Sequence, residues 1–188
     1  MRAGDPMIDR STEDILRTLS DLDARARSFA LDLTDTGERS DEEVFVAFEV
    51  CGRRFLALLG DLKEIIYVPG TITRIPRVQQ WMLGLANVRG SLLPVVDLQR
   101  FLCGNDQPLM ADSRVLVVER GGLVTGLLVP AVYGLKHIRR DNPAAAVDPG
   151  RFPMREFLNG AYDLGGEAWP VFDVDALVEH PKFRVASV

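Results

Sequence analysis

The sequence predicts a mainly β protein preceded by an N-terminal α-helix, and three observations carry that prediction. Up to residue 33 the apolar residues recur at helical spacing; beyond residue 43 the chain breaks into short segments rich in Val, Leu and Phe; and Gly, Asn, Asp or Pro punctuates those segments every eight to twelve residues. A length of 188 residues, with 47% apolar and 26% charged residues, fits one main globular domain plus an appended segment. The natural division is 1–43, a helical extension with an acidic linker, and 44–183, the folded body.

Between residues 11 and 33, Ile15, Leu19, Leu22, Ala26, Phe29 and Leu33 follow one another at steps of four or three, a heptad-like stripe on a helix. Ser11 or Thr12 caps its start, Glu13 and Asp14 suit the positive end of the helix dipole, and Thr34-Asp35-Thr36-Gly37 supplies a stop. After the linker at 38–43, strands are expected at 44–50, 55–59, 83–88, 92–96, 114–119, 124–129, 131–137, 157–162 and 168–172. Cys51-Gly52-Arg53-Arg54 and Arg120-Gly121-Gly122 read as hairpin turns, so two similar strand-turn-strand modules lie about seventy residues apart. Two small β-barrels or a pseudo-duplicated sheet would fit. Residues 141–156, with three Pro, one Gly and three Ala and no period, read as a surface loop.

The net charge of −5 is concentrated at the front: residues 1–43 hold 6 Arg against 12 acids, which leaves the body close to neutral. Nucleic acid and anionic lipid both require a basic face, so neither is an expected partner. Arg139-Arg140, with no interleaved aromatics, reads as ordinary surface. No stretch approaches eighteen uninterrupted apolar residues, and the acidic N-terminus lacks the regions of a signal peptide. A cytoplasmic chain without membrane insertion is the expectation. There Cys51 and Cys103, each beside apolar runs, are expected as buried thiols rather than a structural disulfide.

Catalytic chemistry is thinly supplied. Cys51, Cys103, His137 and His180 include no two at zinc-ligand spacing, and buried thiols are poor partners for a Cys-His nucleophile pair. The glycines at 121, 122 and 126 lack the Lys-Ser or Lys-Thr of a phosphate loop. No catalytic residue, metal ligand or cofactor site is therefore expected.

One segment stands apart, Trp81-Met82-Leu83-Gly84-Leu85-Ala86-Asn87-Val88-Arg89-Gly90-Ser91-Leu92-Leu93-Pro94-Val95-Val96-Asp97-Leu98. It reads as two apolar strands joined by a tight turn at Arg89-Gly90-Ser91 that carries Arg89 into solvent. Pro94 removes a backbone donor and argues for a peripheral, edge position, while Asp97 can cap a short helix over 98–102. An apolar hairpin tipped by arginine suits docking another protein better than enclosing a small molecule. A core hairpin with a solvated arginine is the plainer alternative.

The run from Gly84 to Gly90, followed by Leu93-Pro94-Val95-Val96-Asp97-Leu98, resembles the signature of the CheW-like chemotaxis coupling domain. The strand at 44–50, Leu62-Lys63-Glu64-Ile65, Ile75-Pro76, Arg114-Val115-Leu116-Val117-Val118 and Gly126-Leu127-Leu128-Val129 match in order, so the likeness covers about residues 44–178. The resemblance implies two intertwined five-stranded SH3-like β-barrels and a non-catalytic adaptor. One surface would bind the regulatory domain of a CheA-type histidine kinase, and the groove between the barrels would receive the cytoplasmic tip of a methyl-accepting receptor in a membrane-associated array. Carried over by position, Glu64, Ile65, Asn87, Val88, Arg89 and Gly90 are the partner contacts. Pro130 departs from the family, many of whose members have aspartate there. The acidic N-terminal helix, Trp169-Pro170-Val171-Phe172 and Pro181-Lys182-Phe183 look like the type IV pilus branch, the PilI-like proteins, and imply a role in twitching motility. The competing class is a small β-barrel that binds a ligand or nucleic acid, for which 14 aromatics and a near-neutral body offer little.

Overall fold

Among the described residues, the apolar segments beyond residue 43 fold as ten strands in two five-stranded sheets. The structure is a computed structural model that describes residues 42–106, 108–141, 143 and 155–185. The helix expected at 11–33 lies outside those residues, as does most of the loop expected at 141–156.

The strands are β1 (Glu42–Val50), β2 (Arg53–Leu58), β3 (Leu62–Tyr67), β4 (Met82–Val88), β5 (Ser91–Asp97), β6 (Arg114–Arg120), β7 (Leu123–Val129), β8 (Ala131–Arg139), β9 (Leu158–Asp163) and β10 (Ala168–Phe172). Barrel one has the order β8-β1-β2-β10-β9 and barrel two the order β3-β6-β7-β5-β4. The two share a plan. Each contains an antiparallel hairpin (β1–β2, β6–β7) with a strand from elsewhere in the chain laid parallel against it, β10 on β2 and β5 on β7. Each parallel strand ends in the same phrase, Pro94-Val95-Val96-Asp97 or Pro170-Val171-Phe172-Asp173, and runs into a short helix, α1 (Leu98–Cys103) or α2 (Val174–Glu179). The aspartates cap them: Arg100 N–H donates to Asp97 Oδ1 at 2.9 Å and Ala176 N–H to Asp173 Oδ1 at 2.8 Å. The Asp97 cap is as the sequence predicts.

One core serves both barrels. Val46, Phe48, Val50 and Phe55 of barrel one pack in the same buried cluster as Val96, Leu116, Leu127 and Val129 of barrel two. Phe48, Phe55 and Phe172 meet within 6.5 Å of one another, two of the three contacts edge-on. At its margin Trp81 stacks on Phe183 of α3 (Pro181–Arg184) at 5.7 Å, and Phe101 meets both rings edge-on. Arg120 at the end of β6 ties the barrels polarly, pairing with Asp61 between β2 and β3 and donating to Asp175 of α2 at 2.7 Å. Burial raises the Asp61 carboxyl above its usual range, and the Arg120 charge opposes that rise.

Four expectations change. β3 was not among the strands expected; its Leu-Lys-Glu-Ile-Ile-Tyr pattern does not alternate, because a bulge at Lys63 shifts the register between Leu62 and Glu64. β5 is an interior strand, held between β4 and β7, and of the hairpin's two strands it is β4 that lies at an edge of the sheet. Pro94 is tolerated because β7 pairs with β5 only from Val95 onward, while the Pro94 carbonyl accepts from the Thr125 hydroxyl at 3.2 Å. Phe157 belongs to a 3-10 turn, Arg155–Phe157, and is fully buried ahead of β9. Finally, Cys51 and Cys103 are joined as a disulfide rather than standing as buried thiols. Each is half-buried against the shared core, and the fold carries the β1–β2 turn to the end of α1, which local sequence context cannot show.

Candidate partner-binding surface

The β4–β5 turn is a two-residue one, Arg89-Gly90, with Val88 paired to Ser91. Both residues have positive φ, 51° and 85°, the geometry whose twist matches a β-hairpin. Asn87 fixes it: its Oδ1 accepts from Gly90 N–H at 2.9 Å. The turn leaves the Arg89 side chain 79% exposed.

Behind it, β4 is held by a second backbone approach. Thr73 and Leu85 exchange backbone hydrogen bonds of 2.8 and 2.9 Å. That approach needs glycine at 84, since a Cβ there would stand 2.1 Å from the Thr73 carbonyl oxygen and φ is 142°. The glycine opening the signature is therefore a packing requirement of the hairpin.

Glu64 reaches the turn from the other side of the sheet. β3 and β4 are the two outer strands of barrel two, yet Glu64 Oε2 lies 3.0 Å from Arg89 Nη1, so one ion pair spans the two edges. The bulge at Lys63 sets the register that places Glu64 there, and Lys63 itself pairs with Glu119. Glu64 is the less exposed partner, its side chain at 28%.

The six residues predicted as partner contacts thus divide. Asn87, Arg89 and Gly90 are exposed and Glu64 is partly so, while Ile65 packs against the shared core and Val88 against a second cluster with Leu93 and Val95. Ile65 and Val88 hold the surface in place from beneath. Leu92, across the strand pair from Asn87, is 70% exposed and was not singled out. The signal for it is the alternation of β5: Leu93 is buried, so its neighbour faces outward. Leu92, Leu85 and Asn87 form one wall of a groove of about 550 Å³ whose other wall is the segment 69–73. Pro130 is half-buried in the single-residue link between β7 and β8.

A CheW-like domain matches residues 44–182. The chain belongs to the CheW-like family. Among CheW-like relatives, it is 35% identical to the protein PilI of Pseudomonas aeruginosa, over 90% of this chain and 94% of that one. It is 31% identical to the protein FrzA of Myxococcus xanthus, over 78% of this chain and 91% of that one. The crystal structure of the scaffolding protein CheW from Thermoanaerobacter tengcongensis superposes with a TM-score of 0.63 at 24% identity, covering 74% of this chain and 94% of that one. The CheW-like fold, with its two five-stranded barrels, is thus the fold of this chain, which is a coupling or scaffold protein of the CheW type. Among the described residues, no helix is long and apolar enough to cross a membrane, and no group of three or more His, Cys, Asp or Glu is placed to hold a metal ion.

Proposed function

We propose that this chain is a non-catalytic coupling protein that links the cytoplasmic tip of a methyl-accepting receptor to the regulatory domain of a CheA-type histidine kinase. The observation that supports this most directly is the Glu64–Arg89 pair, which spans the edges of barrel two and presents Asn87-Val88-Arg89-Gly90 on a rigid turn. A turn fixed by Asn87, with an exposed arginine beside an apolar groove, combines the preorganisation and the composition of a binding hot spot. The body at 44–183 carries the coupling, with 1–43 as its extension. The protein works in the cytoplasm and joins membrane-associated arrays through the receptor. Its likeness to PilI supports an output on type IV pilus twitching motility.

The test is kinase autophosphorylation in a reconstituted mixture of a CheA-type kinase and a receptor cytoplasmic fragment, with and without this chain. Output is expected to rise only when all three are present. Equal rates with and without it, receptor included, would overturn the coupling role.

A further inference from the structure

We propose that Cys51 and Cys103 are a reversible redox pair that exchanges with low-molecular-weight disulfides of the oxidised-glutathione class, clipping the β1–β2 turn of barrel one to α1 beside barrel two. The two residues are 52 apart in sequence with Cα atoms 6.3 Å apart, inside the range that a disulfide spans.

The fold sets that separation at both ends through contacts other than the sulfur–sulfur bond. Cys51 stands in a two-residue turn between paired Val50 and Arg53, with Cys51 and Gly52 both at positive φ. Cys103 closes α1, whose C-terminus is fixed by Gly104 N–H donating to the Arg100 carbonyl at 2.9 Å. Arg100 donates to the Gln80 carbonyl at 2.9 Å and pairs with Asp106, so the chain on both sides of Cys103 is anchored. Neither cysteine is enclosed: both are half-buried at the margin of the shared core, which leaves an approach for a small thiol or disulfide. A pair held in register and reachable from solvent has the properties of an exchanging couple. Its reversibility rests on the cytoplasmic placement proposed above, because the thiol pool there keeps reducing power available.

The chemistry balances as two exchanges. One cysteine thiolate attacks the external disulfide, forming a mixed disulfide and releasing one external thiolate. The second cysteine thiolate then attacks the protein-side sulfur, forming the Cys51–Cys103 bond and releasing the other. Two protein thiols are oxidised, one external disulfide is reduced to two thiols, and the protons of the cysteines pass to the departing thiolates. Because the second thiol is already in position, the mixed disulfide should not accumulate.

The experiment is an equilibration of the full chain across a series of reduced-to-oxidised glutathione ratios, with acid quench, maleimide labelling and intact mass. The expected result is a single transition between two free thiols and none, without a stable glutathione adduct or a covalent dimer, reversed by a dithiol reductant. The oxidised form should melt about 5–10 °C higher than the reduced one. Cys51→Ser is expected to take one glutathione on Cys103 and to show no cross-link. Two thiols that stay free at every ratio, separate glutathione adducts on each, or a link between chains would overturn the proposal. The wild-type titration decides this without the variant, and it involves neither receptor nor kinase, so its failure is distinguishable from failure of the coupling role.

Discussion

Arg89 holds its charge at the tip of a turn, 79% exposed, and pairs with a carboxylate across the barrel seam. Exposed pairs of this kind contribute between about 0 and 1 kcal/mol, so Arg89→Ala should change unfolding free energy by only about 0.5 kcal/mol in urea melts. Binding to a kinase regulatory domain, measured by calorimetry, should weaken at least about thirtyfold, the mark of a hot-spot residue. The double exchange Glu64→Arg with Arg89→Glu should keep the seam paired yet leave binding weak. Gly84 differs in kind. Gly84→Ala would drive a methyl into the Thr73 carbonyl at a φ of 142°, and should cost about 2–4 kcal/mol. The glycine is legible in the sequence as part of a signature; its reason is not, since Thr73 is eleven residues away and meets it only in the fold. Tyr162 brings pH dependence. Burial and then the Glu43 charge raise its phenol above 10.0, so the folded chain holds the proton more tightly than the unfolded one. The stabilisation is complete below about pH 10 and is lost as pH rises through the folded pKa, so alkaline melts should steepen there and Tyr162→Phe should flatten them.

At the scale of elements, the two Pro-Val-x-Asp phrases are equivalent stops, each ending a parallel strand and starting a helix. Asp97→Ala and Asp173→Ala should each lower stability by about 1 kcal/mol, measured by chemical unfolding, through loss of one cap. Most elements are legible because their signals are local. Short runs of Val, Leu and Phe mark β1 and β6, Gly-containing pairs mark the hairpin turns, and an aspartate before an apolar run marks α1. The exceptions are non-local: β3 hides because the bulge at Lys63 breaks its period, and the interior place of β5 depends on β7, thirty residues further on. The candidate site divides in the same way. Its turn is legible in Asn87-Val88-Arg89-Gly90, whereas the contact between Glu64 and Arg89 requires the barrel to curl first.

Across the whole molecule the shared aromatic core makes the barrels one cooperative unit. Phe172, from the last strand, is 1% exposed and meets Phe48 and Phe55 of the first two strands. Phe172→Ala should therefore cost about 3–5 kcal/mol and lower a single melting transition rather than split it. Barrel two is continuous in sequence, from Leu62 to Val129, and it interrupts barrel one, whose strands come from either side of it. During synthesis the ribosome thus releases every strand of the inner barrel before the outer one has its β8, β9 and β10. The unpaired edge of β2 must wait more than a hundred residues for Val171, which pairs with Leu56. At roughly 5–20 residues per second that wait lasts about 6 to 23 seconds, during which the first hairpin is a nascent chain's exposed edge and a natural client for chaperones.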